Sequence, residues 1–279
     1  MLVLGIETSC DETSVAVIDG EGRILANVIA SQAAAHALYG GVVPEVAARA
    51  HLTNLPATFE KALADAGVTL EAIDLIAATA GPGLIGALLV GLSAGQALAF
   101  ARGISIVSVN HLEGHLFSPF LEAGGGPARD VTYPFHGLVV SGGHAELVRV
   151  EAGRIAPLAR TRDDAPGEAF DKVARRAGLP YPGGPAVDRI AARGDGSRVK
   201  LPVGRVSDGT RDFSFSGLKT AMLREFERRG VSGEPLDPDR LPADLVDLFA
   251  SFQRAIVTAI LERVENVHAE EGIRCLALS

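Results

Sequence analysis

One pattern constrains this chain more than any other: strand, small polar turn, strand, hairpin, strand is written twice along its 279 residues. The first copy runs from Val3 to Ile6, through the polar turn Glu7 to Thr13, to a second strand from Ser14 to Ile18. Asp19-Gly20-Glu21-Gly22 is the hairpin, and Arg23 to Ile29 the third strand. The second copy runs from His136 to Val140, through Ser141-Gly142-Gly143, to Glu146 to Val150, and Ala152-Gly153-Arg154-Ile155 opens its third strand. Gly22-Arg23-Ile24 falls opposite Gly153-Arg154-Ile155, and Val15-Ala16-Val17 opposite Glu146-Leu147-Val148. The recurrence reads as a duplication, although any two β-meanders share this much.

Helical patterns follow each copy. From Pro44 to Ala66 apolar residues recur at helical spacing (Val46, Leu52, Leu55, Phe59, Leu63), with Pro44 suited to a helix start and Gly67 to a stop. Ile73 to Thr79 reads as a buried strand, Leu84 to Ala101 as an apolar helix, Ile104 to Val109 as another buried strand, and His111 to Leu121 as a short helix. After the second copy, helices are expected over 167–177, 185–193, 215–229 and 245–270, then an apolar strand over 273–278. The class is α/β, and the last strand, with nothing after it, reads as cut short. Leu84 to Ala101 is long enough to raise a membrane question. Its Gly86, Gly91, Ser93, Gly95 and Gln96 favour a buried, tightly packed helix instead. The start turns acidic at once and has no basic n-region, so it does not read as a signal peptide.

Hydrophobic residues make up 47% and charged residues 22%, enough apolar material for a substantial core. The formal charge of -8 excludes a surface that grips nucleic acid everywhere, so any RNA contact is local or shared with a partner. The basic residues that do gather, Arg175-Arg176 with Arg189, Arg193, Arg198, Lys200 and Arg205, mark the stretch best suited to RNA phosphates. Two cysteines far apart, Cys10 and Cys275, exclude a disulfide framework and fit a reducing cytoplasm.

Several segments are candidates for chemistry. His111 and His115 stand at i and i+4 with Asn110 placed to cap their helix, so both imidazoles face one side and can reach one divalent ion. Two ligands do not complete a site, and a third has to come from elsewhere. The pair is not a zinc-peptidase motif. Leu112 stands where HExxH needs its Glu, and Glu113 lies about 200° around the helix from His111. The turn Glu7 to Thr13 and its counterpart Ser141 to His144 offer hydroxyls, small residues and backbone N–H groups of the kind phosphate oxygens need. Asp11 and Glu12 in the first turn are candidates to orient an amine or accept its proton. Gly81-Pro82-Gly83 is either an anion-binding helix entry or a tight turn into a packed helix. Asp171, in Gly167-Glu168-Ala169-Phe170-Asp171-Lys172, and Asp188, after Pro182-Gly183-Gly184-Pro185, could hold ribose hydroxyls or a threonyl amine.

Together the segments GIETSCDETSVAV (5–17), YGGVVPEVAARAH (39–51), AGPGLIGALLVG (80–91), NHLEGH (110–115), LVVSGGH (138–144), GEAFDK (167–172), YPGGP (181–185) and FSFSGLKTA (213–221) resemble the TsaD family of tRNA threonylcarbamoyladenosine synthases. The resemblance implies the duplicated two-lobe actin/Hsp70/sugar-kinase (ASKHA) fold with nucleotide between the lobes. It implies a first lobe over 1–130 carrying the metal-binding helix and a second over 131–279 carrying nucleotide and substrate contacts. By resemblance, His111 and His115 bind one divalent metal ion, iron or zinc. Val139, Val140, Ser141, Gly142 and Gly143 bind substrate, with Asp171, Gly184 and Asp188. The implied activity is acyl transfer from threonylcarbamoyl-AMP to N6 of the adenosine 3′ of the anticodon, in tRNAs reading codons that start with A. An ATP- or ADP-like nucleotide, a TsaB-like paralogue and a TsaE-like ATPase are implied companions, with no membrane partner. Family members continue past the last strand here, with a glycine- and asparagine-containing nucleotide contact and an aspartate as third metal ligand. Neither is in this sequence. The competing readings are a metal-dependent peptidase and a non-catalytic scaffold subunit of the same fold, with a small-molecule kinase further off.

Overall fold

The computed structural model of the chain describes residues 1–121, 126, 128–204, 206 and 209–279, in two compact units, Met1–Val131 and Thr132–Ser279. In the first, β1 (Leu2–Glu7), β2 (Glu12–Asp19) and β3 (Ile24–Ser31) form the expected antiparallel meander. Then come α1 (Ala33–Ala37), α2 (Pro44–Ala66), β4 (Leu75–Gly81), α3 (Ile85–Arg102), β5 (Ser105–Asn110) and α4 (His111–Phe117). β4 and β5 add in parallel, giving the sheet order β3-β2-β1-β4-β5. Alternation buries Leu4, Ile6, Val15, Val17 and Ile76 at 3% exposure or less. Each such side chain contributes about 1.5–3 kcal/mol relative to exposure. Pro44 opens α2, and Gly67 ends it with a left-handed φ of 66° that a residue with a Cβ rarely adopts.

The second unit repeats the plan. β6 (Phe135–Val140), β7 (Ala145–Glu151) and β8 (Arg154–Arg160) are antiparallel, and β9 (Leu276–Leu278) joins β6 in parallel, giving β8-β7-β6-β9. That order matches the first four positions of the first sheet. α5 (Pro166–Arg176), α6 (Gly183–Ala191), α7 (Ser216–Arg228) and α8 (Ala243–Glu271) pack a core around Phe213, Phe215, Phe226, Phe249 and Phe252.

Two expectations are corrected. α3 is not buried all round. Ala87, Leu88, Gly91, Gly95 and Ala99 form a packed seam, while Ile85, Leu89 and Phe100 are 79%, 55% and 91% exposed. A helix lying on one face of a sheet hides only the stripe that touches it. The seam is close: a Cβ on Gly91 would stand 2.4 Å from the Thr8 hydroxyl oxygen, which accepts the Gly91 N–H at 3.1 Å. β9 buries only Ala277, with Leu276 and Leu278 at 38% and 64% exposure, because among the described residues it pairs on one side alone.

Candidate functional site

Parallel pairing of β1, β4 and β5 brings their C-terminal ends to one edge of the first sheet, the edge where open α/β sheets bind ligands. Glu7, Thr79 and Asn110 arrive there from positions up to 103 residues apart. Asn110 accepts the Leu112 N–H at 2.9 Å, starts α4 as expected, and so sets His111 at the edge. There His111 Nδ1 lies 3.1 Å from Glu7 Oε2 and 3.1 Å from Ser9 Oγ. Thr79 donates to the same carboxylate at 2.7 Å, and the Ser9 N–H to its other oxygen at 2.5 Å. Burial raises the Glu7 pKa, but hydrogen bonds from His111, Ser9 and Thr79 outweigh it and hold the group down at about 2. An ionised carboxylate only accepts, so His111 carries its proton on Nδ1, and Nε2 is the nitrogen that would meet a metal.

A carboxylate on the far nitrogen of an imidazole is the usual support of a metal-binding histidine. His115 stands beside it, with ring centroids 4.7 Å apart and edge-on. The donors present therefore fit a divalent ion. Among the described residues no group of three or more His, Cys, Asp or Glu gathers as a ligand set. Glu113 is exposed.

The turn between β1 and β2 lies beside this pair. Ser9 is 2% exposed and its carbonyl accepts the Leu84 N–H at 2.8 Å, so the glycine-rich entry to α3 closes on protein. Of its two readings, the packed turn is the one observed. Asp11 is half-buried and Glu12 exposed at the start of β2. Sequence reasoning missed Glu7 and Ser9 as partners of His111, and Thr79 as the partner of Glu7. The one available signal was their position as polar residues at predicted strand ends.

In the second unit the counterpart turn is built differently. Val139 points into the core at 2% exposure, Val140 ends β6, and Gly142 and Gly143 are exposed with nothing within 4 Å of where a Cβ would stand. The Ser141 hydroxyl accepts the His144 N–H at 3.2 Å, and the Ser141 carbonyl accepts the Gly167 N–H at 3.4 Å at the start of α5. One turn on, Asp171 accepts the Gly183 N–H at 2.7 Å, which places Gly184 and the start of α6 beside it. Gly184 also has open space at its Cβ position. Asp188 accepts from Gln253 of α8 at 2.9 Å. Seven of the eight substrate candidates of this unit are thus linked through Ser141, Gly167 and Asp171, while Asp188 stands a turn further along α6.

The basic stretch divides. Arg175 and Arg176 join Lys172 and Lys219 around a cavity of about 540 Å³. Arg193 is held by the Pro238 and Asp239 carbonyls, Arg198 pairs with Asp195, and Arg205 lies outside the described residues.

The sequence profile that matches, over residues 23–279, is that of TsaD, tRNA N6-adenosine threonylcarbamoyltransferase. The protein of that name from Pelobacter propionicus is 50% identical over 281 residues, covering 100% of this chain and 78% of the relative. The one from Geobacillus kaustophilus is 45% identical, covering 99% and 77%. Among solved structures, component A of (R)-2-hydroxyglutaryl-CoA dehydratase from Acidaminococcus fermentans superposes with a TM-score of 0.53 at 13% identity, over 100% of this chain and 82% of that one. That likeness speaks for the fold alone, which is the expected α/β actin/Hsp70/sugar-kinase type. By profile and by relatives nearly half or more identical along its whole length, the chain belongs to the TsaD family of tRNA N6-adenosine threonylcarbamoyltransferases.

Proposed function

We propose that the chain performs its family's acyl transfer with the residues at the two turns: His111, His115, Asp11 and Glu12 in the first lobe (1–130), and Val139 to Gly143, Asp171, Gly184 and Asp188 in the second (131–279). The reaction is transfer of a threonylcarbamoyl group to N6 of a tRNA adenosine. The acyl donor is threonylcarbamoyl-AMP, a mixed anhydride, and the acceptor is the adenosine 3′ of the anticodon in tRNAs reading codons that start with A. The amine attacks the carbamoyl carbon, the new N–C bond forms, and the C–O bond to phosphate breaks with its electron pair leaving on AMP. The amine proton goes to Asp11 or Glu12, both carboxylates in the turn next to His111. Much of the rate comes from holding amine and anhydride together.

His111 and His115 would hold one divalent ion, iron or zinc, which when bound supplies Lewis-acid polarisation of the carbamoyl oxygen. The observation that carries this assignment is the Glu7 carboxylate set on His111 Nδ1 at 3.1 Å. The exposed glycines of Ser141-Gly142-Gly143 suit the adenylate phosphate, and an ATP- or ADP-like nucleotide would use the same backbone. Arg175 and Arg176 suit tRNA phosphates, beside Lys172 and Lys219, which pair with Asp164. The apolar outer face of α3 at Ile85, Leu89 and Phe100 suits a TsaB-like paralogue, with a TsaE-like ATPase as a further companion. Two free thiols, Cys10 and Cys275, suit a cytoplasmic setting.

The deciding experiment is metal content alongside transfer from threonylcarbamoyl-AMP to unmodified tRNA, for wild type and for His111→Ala with His115→Ala. The expected outcome is loss of bound metal and a fall in transfer of about 100-fold or more. Retention of both by the double variant would reject the assignment.

A further inference from the structure

Between β3 and α2 the chain makes a strap, 32–43, and two of its polar side chains, with one from α2, are buried although no step of the reaction uses them. Gln32, His36 and His51 are 3%, 0% and 0% exposed. They form a single line of hydrogen bonds whose direction can be read from its two ends. The Val43 N–H can only donate, and it meets His36 Nδ1 at 3.3 Å, so His36 carries its proton on Nε2. That N–H donates to Gln32 Oε1 at 3.2 Å, which turns the Gln32 amide nitrogen toward His51 Nδ1, also at 3.2 Å. The Thr13 hydroxyl donates to the same nitrogen at 2.8 Å. His51 is therefore protonated on Nε2, and it donates to the Cys10 carbonyl, which can only accept, at 3.1 Å.

One arrangement gives every ring nitrogen a partner, with His51 Nδ1 shared between the Thr13 hydroxyl and the Gln32 amide, and reversing any member breaks the rest. A second clasp runs alongside, from the Gln32 N–H to the Asp11 carbonyl at 3.0 Å. The line and this clasp thus end on the two peptide units either side of Asp11, and the Thr13 hydroxyl is held just beyond Glu12. Burial lowers the His51 pKa, against raising effects of the Cys10 carbonyl, Glu7 and Asp11, and so favours the neutral ring that the line requires.

We propose that His51 is a positioning residue for the transfer reaction, holding the Cys10 carbonyl and the Thr13 hydroxyl so that Asp11 and Glu12 are presented in a fixed place. This rests on the reading of those two carboxylates as the groups that orient the amine and take its proton. The side chains of His36 and Gln32 set the tautomer of His51.

Replacement of His51 in two directions tests the idea. In His51→Gln a side-chain amide N–H can replace Nε2 toward Cys10, whereas His51→Asn reaches only the Thr13 side. Both are assayed with threonylcarbamoyl-AMP and unmodified tRNA, in the presence of whatever partner proteins turnover needs, at a temperature where circular dichroism shows both fully folded. Asn is expected to lower kcat about tenfold with KM for tRNA little changed, and Gln to recover most of that loss. Two-bond proton–nitrogen NMR on the wild type is expected to show His51 neutral and protonated on Nε2. A His51 protonated on Nδ1, or Asn and Gln variants with equal kcat, would overturn the proposal. An Asp11→Asn, Glu12→Gln double variant run in parallel separates the two readings. If it is slow while His51→Asn matches wild type, only the positioning role fails. If it keeps the full rate, the carboxylate reading fails, and any slowing by His51→Asn then acts elsewhere than proposed.

Discussion

The turn after β1 and the turn after β6 occupy the same place in two copies of one meander, and they are finished in opposite ways. The first is crowded with side chains: Glu7 gathers His111, Thr79 and Ser9, Thr8 is locked to α3, and His51 holds Cys10 and Thr13. The second is bare backbone at Gly142 and Gly143, braced from behind by Gly167. A repeated frame supplies the same strand ends twice, and different residues are placed there. Fixed polar groups suit holding a metal and moving a proton, whereas exposed N–H groups suit an anionic ligand that supplies its own charge.

The contrast breaks first at Glu7. Glu7→Ala removes the carboxylate behind His111 and is expected to weaken divalent metal binding by about 10–100-fold, read by calorimetric titration. Unchanged affinity would mean that the first turn is packing and nothing more. The second turn predicts a split between two glycines. A Cβ on Gly167 would stand 2.6 Å from the Gly142 Cα, backbone that cannot swing aside, while Gly142 itself faces open space. Gly167→Ala is expected to lose about 1–3 kcal/mol in urea unfolding. Gly142→Ala is expected to stay within about 0.5 kcal/mol of wild type while weakening adenylate binding. Equal stability losses would show that the second turn is as crowded as the first.

The smallest effect concerns a carboxylate of the second unit that gathers several donors, as Glu7 does in the first. Asp163 accepts the Phe215 and Ser216 N–H groups at 2.8 and 3.3 Å and both the Ser214 and Ser216 hydroxyls at 2.6 Å, closing the start of α7. Burial raises its pKa, but these donors outweigh burial and hold it below the ordinary 3.8. A depressed carboxylate stabilises the fold fully above its unfolded pKa and loses that contribution as pH falls through the folded value. Asp163→Asn is therefore expected to cost about 1 kcal/mol at pH 7, with the gap from wild type closing below pH 4. A gap that persisted to pH 2 would show that shape, not charge, matters at Asp163.

Much of this was legible before any coordinates, because it is local. The start of α2 at Pro44 and its stop at Gly67, the Asn110 cap and the i, i+4 histidine pair each depend on a few neighbours along the chain. The α3 reading went wrong for the converse reason. Its composition is apolar on all sides, and only the sheet beneath it decides which stripe is covered. The helix α1 and the polar line through His36 and Gln32 left no periodic signal in a stretch of alanines and glycines.

From the residues alone came the strands and helices, the duplication, the family, and the candidate side chains at each turn. Tertiary structure alone decided that Glu7 meets His111 across 104 positions and that His51 meets Cys10 across 41. Such meetings depend on which strands pair in parallel and in what register. That is settled by burying one shared core, a property of the whole unit that no short stretch of sequence contains.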